Sequence, residues 1–111
     1  MFTGYTTREK MTMAMTPEKK VKANVVKQLK QLGKHVYYFF PATGGYGRSG
    51  VPDIVGCFKG KFFAIECKAG KNTTTALQEK ELAAITAANG AAWVVNEENV
   101  DAVIPMFRKF L

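Results

Sequence analysis

The sequence contains one histidine, His35, one tryptophan and only two cysteines among 111 residues. A single histidine excludes a zinc site built from several imidazoles, and it gives little support to a Ser-His-Asp hydrolase. Cys57 and Cys67 lack the C-x-x-C spacing of metal sites, so we expect buried, reduced thiols in a cytoplasmic protein. No run of 18 apolar residues occurs, and the start lacks the apolar stretch of a secretory signal. We therefore expect no membrane span and no secretion.

Acidic residues are scarce too, with nine Asp and Glu against sixteen Lys and Arg, a formal net charge of +7. The excess is concentrated in residues 1–34, which contain eight basic side chains and only two acidic ones, Glu9 and Glu18. A basic protein of this size is suited to a polyanion such as nucleic acid, although charge alone equally fits a merely soluble cationic surface. The length and the 47% apolar content predict one domain with a packed core.

Hydrophobic periodicity and turn residues predict the order αβββαβα, an α/β fold, after a flexible arm over residues 1–15. Thr16 and Pro17 open the first helix, and Gly33 ends it. The remaining predicted elements are strands over 35–42, 51–58 and 61–68, a helix over 75–89 ended by Gly90, a strand over 91–96, and an amphipathic segment over 97–111 that Pro105 interrupts.

The second and third strands read as a hairpin with Lys59 and Gly60 as its turn. In that register Asp53 lies opposite Glu66, with Cβ atoms about 4.5–5.5 Å apart. Two carboxylates so placed repel each other unless a hard cation such as Mg²⁺ or Mn²⁺ lies between them. Lys68 projects from the same face as Glu66 and can stabilise developing negative charge. A three-residue turn would shift the register and remove the pairing.

Glu18 lies in the middle of the apolar stripe of the first helix, between Val21 and Leu29. An acid in the first turn also complements the helix dipole, which is the structural alternative, but that role does not explain an inward-facing position. We predict that Glu18 reaches the metal site. Lys22 is the lysine of this helix nearest to Glu18.

The glycine-rich loop over residues 43–50 lacks the P-loop pattern, which argues against a nucleotide cofactor. Arg48 is suited to a phosphate and Tyr46 to stacking on a base, unless the loop is only a flexible connector. Ser49, Lys71 and Lys22 complete the set of expected DNA contacts.

Gln78 follows Thr75 by three residues, the spacing of a capping box. It also shares a helix face with Leu82 and Ile85, so it could instead point toward the sheet. The sequence leaves both roles open.

The set Glu18, Gly50-Val51-Pro52-Asp53, Glu66-x-Lys68 and Gln78 resembles the VRR-NUC (virus-type replication-repair nuclease) family, in its stand-alone phage and bacterial type. That family belongs to the PD-(D/E)xK superfamily, which also includes restriction endonucleases and archaeal Holliday junction resolvases. The resemblance implies a restriction-endonuclease-like αβββαβ core, with a mixed central sheet flanked by helices, in a nuclease domain over residues 16–111.

The resemblance also implies roles for single residues. Asp53, Glu66 and the carbonyl of Cys67 would be metal ligands, with Glu18 an outer or direct one. Lys68 would be the catalytic lysine and Gln78 a supporting polar group.

The expected function is a Mg²⁺- or Mn²⁺-dependent, structure-specific DNA endonuclease, most similar to a homodimeric Holliday junction resolvase. A flap or fork repair nuclease and a non-catalytic DNA-binding module on the same fold are the alternatives. A phage-encoded protein of this kind would act in the cytoplasm of its bacterial host.

Overall fold

The computed structural model describes residues 15–42 and 47–111. The predicted N-terminal arm, apart from Met15, and the loop residue Tyr46 lie outside these residues. The elements are α1 (Pro17–Gln31), a 3₁₀ turn (Gly33–His35), β1 (Val36–Phe39), β2 (Ile54–Phe58), β3 (Lys61–Cys67), α2 (Ala76–Ala87), β4 (Ala91–Val95), a second 3₁₀ turn (Val100–Ala102) and α3 (Val103–Phe110). The predicted order αβββαβα is confirmed.

The first helix begins and ends where its capping residues predict. The hydroxyl of Thr16 accepts a hydrogen bond from the backbone N–H of Lys19 at 3.3 Å, and Pro17 opens the helix. After the C-cap Leu32, Gly33 adopts the left-handed region at φ 58°, a conformation that costs glycine little.

The β2–β3 hairpin has the predicted register, from Phe58 opposite Lys61 to Ile54 opposite Ile65. Lys59 and Gly60 both have positive φ values, 50° and 88°, as a two-residue type I′ turn requires. The strands are shorter than predicted: β1 covers four residues, and β2 begins after Asp53 rather than at residue 51.

The four strands form one sheet in the order β1-β2-β3-β4. The first three are antiparallel, whereas β4 pairs parallel to β3 through the crossover that contains α2. The sheet is therefore mixed and carries helices on both faces, which confirms the predicted fold class.

One face of the sheet carries the hydrophobic core. Phe63 and Ile65 of β3 are fully buried there against Leu29 of α1 and Phe107 of α3. The Phe63 and Phe107 rings lie 4.7 Å apart between centroids, a distance typical of favourable aromatic pairs.

Alternation along the strands sends their remaining side chains to the opposite face, where α2 packs. Its buried apolar residue is Leu82. At the uncovered side of this face, Tyr37, Phe39 and Phe62 are each about half exposed or more.

Three boundary predictions are corrected. Pro105 does not interrupt the last segment, because it lies in the first turn of α3, where the missing N–H costs no helical hydrogen bond. The second helix ends at Ala87, and Asn89, not Gly90, takes the left-handed conformation at φ 69°. The last strand ends at Val95.

Cys57 and Cys67 are free and project from opposite faces of the hairpin. Cys67 is buried as expected, whereas Cys57 is only partly buried, which corrects the expectation that both thiols are buried. Burial raises the pKa of the Cys67 thiol to about 12, so this thiol stays protonated at neutral pH. In the part of the chain that the structure describes, no helix has the length and apolarity needed to cross a bilayer.

Candidate active site

Asp53, Glu66 and Lys68 converge where β2 begins and β3 ends. Asp53 does not belong to a strand, which corrects the prediction, and its Oδ2 accepts a hydrogen bond from the Cys67 N–H at 2.8 Å. Pro52 has no N–H to donate to the strand ladder, so the hairpin pairing stops there. The Cys67 N–H, which a backbone carbonyl would otherwise accept, donates to the Asp53 side chain instead. Lys68 follows β3 directly, and its N–H donates to Val95 O at 2.9 Å.

Gly50 lets the loop before Asp53 approach α2. It has φ 81°, and an added Cβ would lie 2.6 Å from the carbonyl carbon of Leu77. A side chain would thus be strained and would also force the loop away from the helix. The glycine holds the loop that carries Asp53 beside the first turn of α2.

Glu66 is the most constrained member of the cluster, with only 2% of its surface exposed. Its Oε2 accepts a hydrogen bond from Gln78 Nε2 at 3.0 Å and lies 3.7 Å from Lys68 Nζ. Its Oε1 is buried and has no hydrogen-bond partner among the described residues. A buried acceptor without a partner is costly, which marks Oε1 as the atom that a ligand would satisfy.

The electrostatics of the cluster disfavour two negative charges in the absence of a cation. Burial raises the pKa of Glu66 from 4.5 to about 7, and the charge of Asp53 raises it further. The positive charge of Lys68 opposes this rise, while Glu18 adds to it. The site therefore holds more carboxylate than its own lysine neutralises.

The oxygen atoms at this site fit a hard divalent cation. Asp53 and Glu66 supply carboxylates, and Glu66 Oε1 is the buried acceptor in need of a partner. No group of three or more His, Cys, Asp or Glu side chains that could hold a metal occurs within residues 15–42 and 47–111. A pair of carboxylates suits Mg²⁺, which is usually held by one or two of them and completes its shell with water and substrate phosphate.

Glu18 belongs to α1, which packs against the other face of the sheet. Its helix contributes Val21 and Val25 to the core, on the face opposite to Glu66. Its charge nevertheless contributes to the raised pKa values of both Glu66 and Cys67, after the larger effects of burial and Asp53. Glu18 is partly buried, and its service as a metal ligand stays a prediction.

Gln78 fulfils both of the roles that the sequence left open. It forms the capping box with Thr75, and the same side chain donates to Glu66. One residue therefore links the start of α2 to the cluster of Asp53, Glu66 and Lys68.

The expected DNA contacts are dispersed. Arg48 is 80% exposed and its Nε lies 3.1 Å from Glu81 Oε1, while Lys22 Nζ lies 4.5 Å above the Phe40 ring. Ser49 and Lys71 are exposed.

The sequence interpretation missed Glu81 and Phe40 as partners of these cations. Glu81 follows Gln78 by three residues, so it lies on the same side of α2, and that spacing was the available signal.

Comparison with known proteins places the chain among nucleases. The family model described as archaeal Holliday junction resolvase matches residues 17–104. The chain belongs to this family. A candidate nuclease, p44, of Acyrthosiphon pisum secondary endosymbiont phage 1 is 28% identical over 94 residues, which cover 84% of this chain and 97% of p44.

The fold comparison agrees with the family assignment. A solved structure described as a VRR_NUC domain matches with a TM-score of 0.66 and 20% identity, over 82% of this chain and 97% of that one. The predicted resemblance is thereby confirmed as a VRR-NUC fold, and the family model adds membership of the resolvase family. The chain is a resolvase-family DNA nuclease.

Proposed function

We propose that this nuclease is a Mg²⁺- or Mn²⁺-dependent endonuclease that hydrolyses phosphodiester bonds in branched DNA, as a homodimer of the Holliday junction resolvase type. The observation that carries the metal dependence is the buried Oε1 of Glu66, beside Asp53 and Lys68, which has no hydrogen-bond partner in the described part of the chain. A hard cation supplies the missing partner and removes the repulsion between the two carboxylates.

Asp53 and Glu66 would hold the metal, together with the carbonyl of Cys67 and with Glu18 as an outer or direct ligand. When bound, the metal supplies an activated water and a positive charge against the scissile phosphate. Lys68, held by its backbone bond to Val95, is placed to neutralise charge that develops on the phosphate or to orient the attacking water. Gln78 keeps Glu66 in place.

The basic and polar residues predicted to contact DNA would hold the substrate. Arg48 and Lys71 are suited to phosphates, Ser49 to a further phosphate contact, and Tyr46 to stacking on a base. The charge of Lys22 lowers the pKa of Cys67 against the larger effect of burial. Lys22 is thus the helical lysine that we expect to contact the DNA.

The uncovered sheet face supports dimerisation. Tyr37, Phe39 and Phe62 are exposed there, beside a groove of about 460 Å³ between the sheet and α2. The groove lining is apolar apart from Arg48 and Glu81, which pair with each other. The exposed aromatic rings offer little to a polyanion, whereas a second copy presents the same apolar rings to them. The C-terminal helix α3 is a poorer interface, because Val103 and Phe107 are fully buried in the core.

A substrate panel tests the reaction. Labelled four-way junction, fork, flap and linear duplex are incubated with the protein and Mg²⁺ or Mn²⁺, with EDTA as the metal-free control. We expect cleavage of the junction, loss of cleavage in Asp53→Ala with DNA binding retained, and wild-type cleavage in Glu98→Ala, which removes an exposed acid outside the cluster.

The outcomes separate the alternatives. Preferred cleavage of the flap or fork would establish the repair-nuclease alternative. If every DNA substrate stays intact with Mn²⁺, the nuclease proposal fails and the non-catalytic DNA-binding module is the alternative that remains. Sedimentation velocity tests the dimer: the wild type should sediment as a dimer and Phe62→Glu as a monomer. A monomeric wild type would refute the homodimer.

A further inference from the structure

Gln78 is held at three atoms. Its backbone N–H donates to Thr75 Oγ1 at 3.2 Å, and its side-chain Oε1 accepts from the Thr75 N–H at 2.9 Å. Its Nε2 donates to Glu66 Oε2 at 3.0 Å. The first two bonds form the capping box of α2, and the third reaches the catalytic cluster.

The capping box decides which end of the Gln78 amide faces Glu66. A carboxamide has an acceptor end and a donor end, whereas the backbone N–H of Thr75 can only donate. It therefore selects Oε1 and turns the NH₂ group toward Glu66. The reverse orientation would place an amide oxygen against a carboxylate and an NH₂ group against an N–H.

Helix capping alone does not require glutamine at this position. A capping box accepts Glu as well as Gln, and a Glu in the first turn would also complement the helix dipole. A Glu side chain at position 78 would, however, present a second carboxylate to Glu66 Oε2 in place of a donor. The amide is thus explained by the cluster and not by the helix.

We propose that Thr75 is a positioning residue of the nuclease site, which acts through the capping box to hold the Gln78 amide as a donor to Glu66. The inference rests on the proposed nuclease function. It adds a residue that acts on the cluster through Gln78, and it explains why the capping box at the start of α2 contains Gln and not Glu.

Three variants and a matched control test this role in single-turnover cleavage. Thr75→Ala keeps the Thr75 N–H but removes the hydroxyl that accepts the backbone N–H of Gln78 at 3.2 Å. Without that bond the first turn of α2 no longer holds the Thr75 N–H against Gln78 Oε1, and we expect the cleavage rate at saturating protein to fall about tenfold with DNA affinity unchanged, as for loss of one hydrogen bond. Thr75→Ser should restore the rate. The control Thr86→Ala removes another hydroxyl bond of the same helix, to Leu82 O at 3.0 Å, and should cleave at the wild-type rate.

Gln78→Glu separates capping from catalysis. The carboxylate still accepts from the Thr75 N–H, so the backbone amide of residue 78 should keep its protection from hydrogen exchange. The donor to Glu66 is lost, and we expect the cleavage rate to fall at least about a hundredfold.

A spectroscopic measurement reports the orientation without any reaction. In the metal-free protein, the two side-chain amide protons of Gln78 should give sharp, well-separated signals in the wild type and in Thr75→Ser. In Thr75→Ala they should broaden or move toward the shifts of a free amide. Wild-type cleavage in Thr75→Ala or in Gln78→Glu would overturn the inference. A wild type that cleaves no DNA would instead refute the proposed nuclease function, and the amide signals would still report the orientation.

Discussion

The two faces of the sheet serve different purposes. On the core face, Phe63, Ile65 and Phe107 are fully buried and pack against one another. On the opposite face, the buried polar Glu66 carries an oxygen that has no partner among the described residues, and several aromatic side chains of that face are exposed. The first face follows the rules of stable packing, and the second departs from them at the positions where we place catalysis and dimerisation.

The β2–β3 hairpin supplies residues to both faces, to the core and to the candidate site. Strand alternation sends Ile65 and Cys67 into the core while Glu66 between them faces α2. Rigid packing on one side thus fixes the position of a carboxylate on the other, as precise catalytic geometry requires. Changes on the core face should therefore alter stability, whereas changes on the other face should alter function.

The largest effect on stability is expected for Phe107→Ala. This ring contacts Phe58, Phe63 and Trp93, with centroids between 4.7 and 5.3 Å away. Its removal leaves a cavity and should lower the free energy of unfolding by about 3–5 kcal/mol. Urea denaturation measures the change. Phe110→Ala, on the same helix but 57% exposed, is the control and should change stability by about 0.5 kcal/mol or less. Equal losses in the two variants would contradict the placement of the core.

A smaller effect is expected from pH in the metal-free protein. Because the pKa of Glu66 rises from 4.5 to about 7 on folding, its ionisation opposes the folded state. The free energy of unfolding should therefore be highest below pH 4.5 and should fall as pH rises from there through 7, by about 3 kcal/mol.

Chemical denaturation of the wild type and of Glu66→Gln at several pH values isolates this contribution, since the amide does not titrate. The wild type should lose stability relative to the variant as pH rises, and Mg²⁺ at pH 8 should restore part of that loss to the wild type alone. Parallel pH profiles for the two proteins would show that Glu66 is not a strained carboxylate.

The hairpin was predictable from sequence because its information is local. Lys59 and Gly60 form a two-residue turn, which fixes the register and hence the faces of Glu66 and Lys68. The capping box of Thr75 and Gln78 was predictable for the same reason, because the two residues lie three positions apart.

Other features depend on tertiary contacts that sequence spacing does not contain. The start of β2 depends on the Asp53 side chain reaching Cys67 N, a contact across the hairpin. That Gln78 both caps α2 and reaches Glu66 follows only from where α2 crosses the sheet. The pairing of Arg48 with Glu81 joins a loop to a helix 33 residues later and could not be predicted from either segment.

The smallest effect on stability is expected at that pair, where the two possible uses of Arg48 can be told apart. Arg48 is 80% exposed, so Arg48→Ala should change the free energy of unfolding by less than about 1 kcal/mol. If Arg48 contacts a DNA phosphate, the same change should weaken binding and lower the slope of log K against log salt by about 1.

Glu81→Gln supplies the matched control, because it releases Arg48 from its ion pair and removes a negative charge from the expected DNA path. It should strengthen binding, while the double variant should bind like Arg48→Ala with at most a small electrostatic gain. An unchanged salt slope in Arg48→Ala would assign the arginine to tying the loop to α2, and the phosphate contact would have to come from another residue.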